Sequence, residues 1–497
     1  MTARVSHALC IAAFLALAGT AQAATLRVGR GRPHATIASA VAAAAPGDTI
    51  VVGKGRYVET VQIDVAGVTL RAARGVEWQP GTWRESCVVV GPEGTNTTVQ
   101  GFLFRGAGSA IASTADGLSV VKCRFRGNSL ALEATGDAVS VTKCDIAQSD
   151  SAINITGHAA RVERTSALGT RSTSVRISGD DALVARCTVR RVDDDPPISV
   201  VGDRAHVERN RVGITEEEGI RVHGNDASIT RNEIRATTHD GISVVGSGAL
   251  IERNELRSCR DNGIHVEGDA CVVRDNRVED VLAAQGVFVV GDDALVEGNT
   301  VAGLSRSDGI HVDGRAFAVV GNQVLDVGYA GSGIFVSGEE GGAQSPRVAD
   351  NVVVGSSGDG IRVLAPGVTV SGNRVEQCSR SGIYVFGPGG ALLQRNVVTD
   401  VGENGCLFEA PDTHATDCVV SGSGGDGYRV APSATGIEIT ACRASDCAAD
   451  GLHNSGVATF TDCTLTNNRQ DVANDGTLTD GGGNRYTTGG VDAAPVD

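Results

Sequence analysis

Lysine is almost missing from this chain of 497 residues: Lys54, Lys122 and Lys143 are the only ones, so nearly all positive charge is arginine. Acidic residues outnumber basic ones and the formal net charge is −16. That balance argues against nucleic acid or an anionic membrane surface as a partner, since both require a basic footprint. Beyond the N-terminus no stretch approaches the roughly 20 apolar residues that span a bilayer, so membrane insertion is not expected. No two cysteines stand at CxxC spacing, which leaves a zinc site of that type unsupported.

The N-terminus carries Arg4, an apolar run from Ala8 to Ala18, and Ala21-Gln22-Ala23. A charged start, a short hydrophobic core and a small-x-small site predict a signal peptide over residues 1–23, hence export as a soluble protein. Its removal leaves twelve of the thirteen cysteines, an even number in a compartment that permits disulfides.

What the chain has in quantity is a repeat. Asparagine recurs at Asn210, Asn232, Asn254, Asn276, Asn299, Asn322, Asn351, Asn373 and Asn396, each with an aliphatic residue three positions before it. From Asn210 to Asn322 there are 112 residues in five steps, about 22 per step, the period of a solenoid coil. Cys123, Cys144, Thr165 and Cys187 continue the slot upstream, and Cys418, Cys442, Cys463 and Asn484 continue it downstream. Residues on successive coils lie about 4.8 Å apart, which permits disulfides, but a buried stack of free thiols is the preferred reading. Cysteine bonds a corner less well than asparagine, so the cysteine coils are expected to turn differently. One step is long, the 29 residues from Asn322 to Asn351, and it contains a loop insertion from Ser337 to Pro346.

Within one unit, Ile242 and Val244 alternate with Ser243 and Val245 between glycines. Ile251 and Leu256 then mark two further inward segments, which predicts three short strands per coil. Gly263-Ile264-His265-Val266-Glu267-Gly268 and Gly309-Ile310-His311-Val312-Asp313-Gly314 repeat the pattern. A leucine-rich repeat shares the asparagine ladder, but Gly-Ile-x-Val-x-Gly offers neither its leucine-rich strand nor its helix.

On these residues the chain resembles the right-handed parallel β-helices of the pectin-lyase-like superfamily. The N-terminal segments Ala35-Thr36-Ile37-Ala38-Ser39-Ala40-Val41 and Pro46-Gly47-Asp48-Thr49-Ile50-Val51-Val52 are similar to that group as well. The resemblance implies an all-β, single-stranded solenoid with a short capping helix over residues 36–44. The domain reading is a cap with first coils over 24–105, β-helix repeats over 106–490 and a tail over 491–497; a monomer is expected.

Outward residues of the Gly-Ile-x-Val strand form a stripe through Arg221, Ser243, His265, Phe288, His311, Phe335, Arg362 and Tyr384, and on to Leu407, Arg429 and His453. A second stripe runs through His223, Val245, Glu267, Val290, Asp313, Ser337, Leu364 and Phe386. Arginine, histidine and aromatic rings on a flat sheet suit sugars, with their stackable faces and carboxylates; the plain alternative is a solvated face. His265 with Glu267, and His311 with Asp313 and Asp308, are the candidate proton-transfer groups. Arg221, His223, Phe288, Phe335, Arg362 and Tyr384 are the candidate substrate contacts, with Arg362 or Arg221 suited to a uronate carboxylate.

Asp180-Asp181 and Asp292-Asp293 resemble the paired acids of polygalacturonases, but they fall where other units read Gly-Asp-Arg-Ala, as turns. The other motifs of that family are absent, and Thr238-His239-Asp240 is only a fragment of the alginate-epimerase motif. Asp193-Asp194-Asp195 is a candidate calcium loop or a solvated acidic turn; no cofactor is otherwise implied. The expected function is binding or modification of an extracellular, acidic polysaccharide by lyase, epimerase or glycoside hydrolase chemistry. The alternative is a non-enzymatic adhesion or structural rod.

Overall fold

The structure is a computed structural model that describes residues 23–341 and 344–490. The expected signal peptide, apart from its last residue, and the tail 491–497 lie outside those residues. The described chain winds into a solenoid with three strands per coil, as in Ile242–Val245, Leu250–Glu252 and Glu255–Cys259. Equivalent strands of successive coils pair in parallel and build three sheets of 21, 19 and 19 strands. Ile242 lies on Ile264 and Val244 on Val266, so each apolar slot becomes a column. Those columns are fully or almost fully buried and form one continuous core. Burying a Val or Ile side chain contributes about 1.5–3 kcal/mol, and this column gain is repeated coil after coil.

The asparagine ladder runs through the interior. The Oδ1 of Asn276 accepts the backbone N–H of Asn254 at 2.9 Å and its Nδ2 at 3.0 Å, and Asn276 Nδ2 donates to Ile251 O at 2.8 Å. The pattern begins at Cys187, whose N–H donates to Asn210 Oδ1 at 2.8 Å, and ends at Asn396 against the Cys418 thiol. The cysteine coils do not turn differently. The residue before every ladder position from Cys123 to Cys463 has a positive φ between 50° and 66°. The corner is therefore made by a left-handed backbone residue, and the ladder side chain only satisfies it. Cysteine does so through its thiol, which reaches carbonyls of the preceding coil, Val162 O at 3.4 Å from Cys187 and Ile439 O at 3.3 Å from Cys463.

The twelve described cysteines are free and buried. Burial holds the Cys187 thiol up at about 12 and that of Cys259 up at about 11, so neither is a thiolate near neutral pH. Native protein is expected to react with none of these thiols in a minutes-long aromatic-disulfide titration, and with all twelve in denaturant. Rapid labelling of several in the native state would contradict the packing.

The N-terminal helix spans Ile37–Val41, shorter than the expected 36–44. Thr36 Oγ1 accepts the Ser39 N–H at 3.1 Å, and Ile37, Ala40 and Val41 are buried against the first strands. Ala43 and Ala44 instead bond carbonyls three residues back, tightening the last turn ahead of Pro46.

Two coils depart from the period next to each other. Ile310 pairs with Ile334, 24 residues on, and Ile334 pairs with Ile361, 27 residues on. The extra residues leave from corners, so strand register is undisturbed on either side. They fall at Gly328–Ser332 and within the expected insertion, whose residues 342 and 343 lie outside the described set.

Candidate functional site

Register places the predicted stripe residue by residue. Arg221 lies beside Ser243, then His265, Phe288, His311, Phe335, Arg362 and Tyr384 follow one coil apart. The inward Ile and Val of each strand fix this, because alternation sends the residue between them outward. The second stripe is also in register, from His223 to Leu364.

The rings do not offer free faces to solvent. His265 stacks on Phe288 with centroids 5.2 Å apart, Phe288 on His311 at 5.0 Å, and His311 on Phe335 at 4.6 Å. Their faces are largely spent on one another, leaving mainly edges outward. The Arg362 guanidinium ends this stack, 5.1 Å from the Phe335 centroid, 5.9 Å from Tyr384 and 4.7 Å from Phe386. Such contacts hold a cation over ring density. Among the described residues no acid pairs with Arg362, and its Nε is buried without a hydrogen-bond partner.

Arg221 differs. Its Nε and Nη2 donate to Glu218 at 3.1 and 2.6 Å, so it is neutralised within its own coil rather than held open for a ligand. Tyr384 donates its hydroxyl to Glu409 at 2.5 Å, and burial together with that carboxylate pushes its pKa up to about 12.

A third row, which sequence reasoning recognised only at Asp308, stands directly before the first glycine of each unit. Asp240 Oδ1 accepts the Asn262 N–H at 2.8 Å, Asp308 Oδ1 that of Ser332 at 2.8 Å, and Asp359 Oδ1 that of Ser381 at 3.1 Å. Each carboxylate spends one oxygen on the next coil. At Asp240 and Asp308 the other oxygen turns toward the histidines, with His265 Nδ1 3.2 Å from Asp240 Oδ2 and His311 Nδ1 3.9 Å from Asp308 Oδ2. The available signal was positional: an Asp, Asn, Gln or Ser precedes Gly-Ile in unit after unit.

The two histidines consequently differ. Hydrogen bonding to Asp240 raises the pKa of His265 against the effect of burial, and Glu267 lies 3.4 Å from its Nε2. Burial lowers the pKa of His311 and raises that of Asp308. His311 Nδ1 is buried without a hydrogen bond, while its Nε2 lies 3.4 Å from Ser337 Oγ. Asp313 shares the outward face of the strand with His311 and acts on it through its charge without a close ion pair; it also lines a groove of about 270 Å³ with Arg315 and Glu339. Gly338 and Glu339, at the start of the insertion, line one side of that groove. The extra residues of the preceding corner hold Tyr329, 81% exposed, against Arg306.

The acidic turns are structural. Asp292 Oδ1 accepts the Arg315 N–H at 2.9 Å and Asp180 Oδ1 that of Asp203 at 2.9 Å, rungs of an exposed ladder between two sheets. In the Asp193-Asp194-Asp195 loop, Asp195 is committed to Ser172 and to Arg176.

Three parallel sheets, one coil per period and a ladder of corner asparagines define a β-helix. The family described as "right handed beta helix region" matches residues 218–367 and 341–491, and the chain belongs to it. The right-handed parallel β-helix implied by the pectin-lyase-like resemblance is the fold. No curated protein matches the chain. Among solved structures it is similar to a DFA-IIIase from Arthrobacter chlorophenolicus A6 in complex with GF2, at 14% identity over 75% of this chain and 94% of that one, TM-score 0.33. It is similar to the periplasmic alginate epimerase AlgG at 11% identity, covering 72% and 76%, TM-score 0.33. The PL6 family alginate lyase AlyGC follows at 12%, covering 90% and 88%, TM-score 0.34. Likeness at this level bears on neither substrate nor reaction.

Proposed function

We propose that the chain, exported as its N-terminus predicts, binds an acidic polysaccharide along the row from His265 to Tyr384 and moves a proton at Asp308 and His311. Arg362 is the observation that carries this reading. A guanidinium held between three rings, with Asp308 and Asp359 near enough to feel its charge but no acid within ion-pair distance among the described residues, is a prepared receptor for a ligand carboxylate. Asp308 and His311 lie together on one coil, two coils away along the same face, with pKa values pushed toward each other. That is the arrangement proton abstraction beside a carboxylate requires, as in lyase or epimerase chemistry. The ring stack favours a second reading, a non-catalytic rod, because rings packed on rings stabilise the face whether or not a sugar binds.

The test is titration of polyuronates and neutral glycans by calorimetry, with ultraviolet absorbance following unsaturated product. Arg362→Ala is expected to lower polyuronate affinity about 10- to 100-fold, the loss of one charge-assisted bidentate contact. Arg221→Ala is expected to change it less than about threefold, since Glu218 already neutralises Arg221. Equal losses in the two variants, or preference for neutral glycans, would refute the carboxylate assignment. Binding without product leaves the rod or binding-module reading.

A further inference from the structure

Three coils beyond Tyr384 the same stripe ends at His453, in surroundings unlike those of the central histidines. In the row before the glycines, most acids of the central coils are separated by neutral residues: Asp240 is followed by Asn262 and Gln285, Asp308 by Ser332, and Asp359 by Ser381, while Glu218, one coil before Asp240, is committed to Arg221. At Asp426 and Asp450 two carboxylates occupy neighbouring coils directly, 6% and 2% exposed. Stacking two buried acids is unfavourable unless something positive lies between them.

Their outer bonds are accounted for. Asp426 Oδ1 accepts the Asp450 N–H at 3.0 Å, and Asp450 Oδ1 accepts from Arg469 at 3.2 Å. Arg429 donates to Asp426 Oδ2 at 3.3 Å. The two Oδ2 atoms face His453 Nδ1, at 3.6 Å from Asp426 and 3.3 Å from Asp450. On the far side of the ring, His453 Nε2 lies 2.9 Å from Asp475 Oδ2. A carboxylate on that nitrogen fixes its proton there in the neutral ring and turns the Nδ1 lone pair inward. Three ligand atoms then converge, all within 4.8 Å of one another, with Arg429 at 3.3 Å from Asp426 Oδ2 as a donor beside them.

We infer that Asp426, Asp450 and His453 form a binding site for one divalent first-row transition ion, with Asp475 orienting the histidine from behind. An imidazole with two carboxylates suits zinc or manganese, and its nitrogen donor disfavours calcium. Ligand count leaves coordination positions open to water or to a group on a bound ligand. The site does not depend on the glycan reading of the central coils.

The experiment strips the full-length exported chain with chelator, then titrates zinc, manganese and calcium separately by calorimetry, with elemental analysis after gel filtration. The expected result is one zinc or manganese ion per chain at about micromolar or tighter affinity. His453→Ala is expected to lower that affinity at least about 100-fold. Asp475→Asn, at a side chain 58% exposed and so tolerant of substitution, is expected to lower it about 10- to 100-fold while leaving the melting temperature unchanged. Absence of any tight ion in wild type would overturn the assignment and leave His453 as a structural bridge between the two acids. So would equal binding by His453→Ala, or by calcium in preference to both other ions.

Discussion

Asn299→Leu is expected to destabilise the central coils by about 4 kcal/mol. Leucine fills the volume but removes the acceptor for both the N–H and the Nδ2 of Asn276, and the donor for Val273 O. Each orphaned buried group costs about 1–3 kcal/mol, and the ladder couples them through neighbours that cannot rotate toward water. Asn299→Cys is expected to cost less than half as much. The same left-handed corner carries cysteine at Cys187 and Cys463, whose thiols still reach a carbonyl of the preceding coil. Urea unfolding followed by circular dichroism reads the difference, taken from the transition that includes the central coils because a solenoid need not unfold in one step. A leucine variant within about 1 kcal/mol of wild type would show that the corner, not the ladder, holds the coil.

The second large effect is at Asp308. Burial raises its pKa from 3.8 and lowers that of His311 from 6.5, so the two approach each other and share one proton over a window between those values. Turnover of a polyuronate is expected to follow a bell in mildly acidic pH, falling when both groups are protonated and again when neither is. Asp308→Asn is expected to lower kcat about 10²- to 10⁴-fold with affinity retained, and to remove one limb of the bell. Stability linkage has opposite signs for the pair. An acid with a raised pKa contributes less as pH rises past its unfolded value, whereas a histidine with a lowered pKa contributes more as pH rises toward 6.5. A pH-independent rate, or an unchanged kcat in Asp308→Asn, rules out the assigned proton transfer.

The architecture was legible because a β-solenoid has one free parameter, its period. With the asparagine spacing known, alternation alone assigned every outward residue from Arg221 to His453 to its neighbour. Asp240, Asp359, Asp426 and Asp450 were less visible: a carboxylate before glycine reads as a turn, and its burial arises only when the next coil covers it. Nor does sequence spacing separate Arg221 from Arg362. Their difference lies in Glu218, three residues before the first, and in the rings above and below the second. The ring stacking itself follows from register, but its consequence for sugar contact follows from ring tilt, which no one-dimensional pattern records.

A face that repeats every coil gives a long ligand no unique seat, because sliding by one coil restores nearly the same backbone beneath it. Only interruptions of the repeat can tell a polymer where to stop. The unpaired Arg362 and the two lengthened corners beside Phe335 are such interruptions, and they fall within two adjacent coils. A chain diffusing along the solenoid in one dimension would meet a registration mark there, with Asp308 and His311 set one coil from Phe335 and two from Arg362.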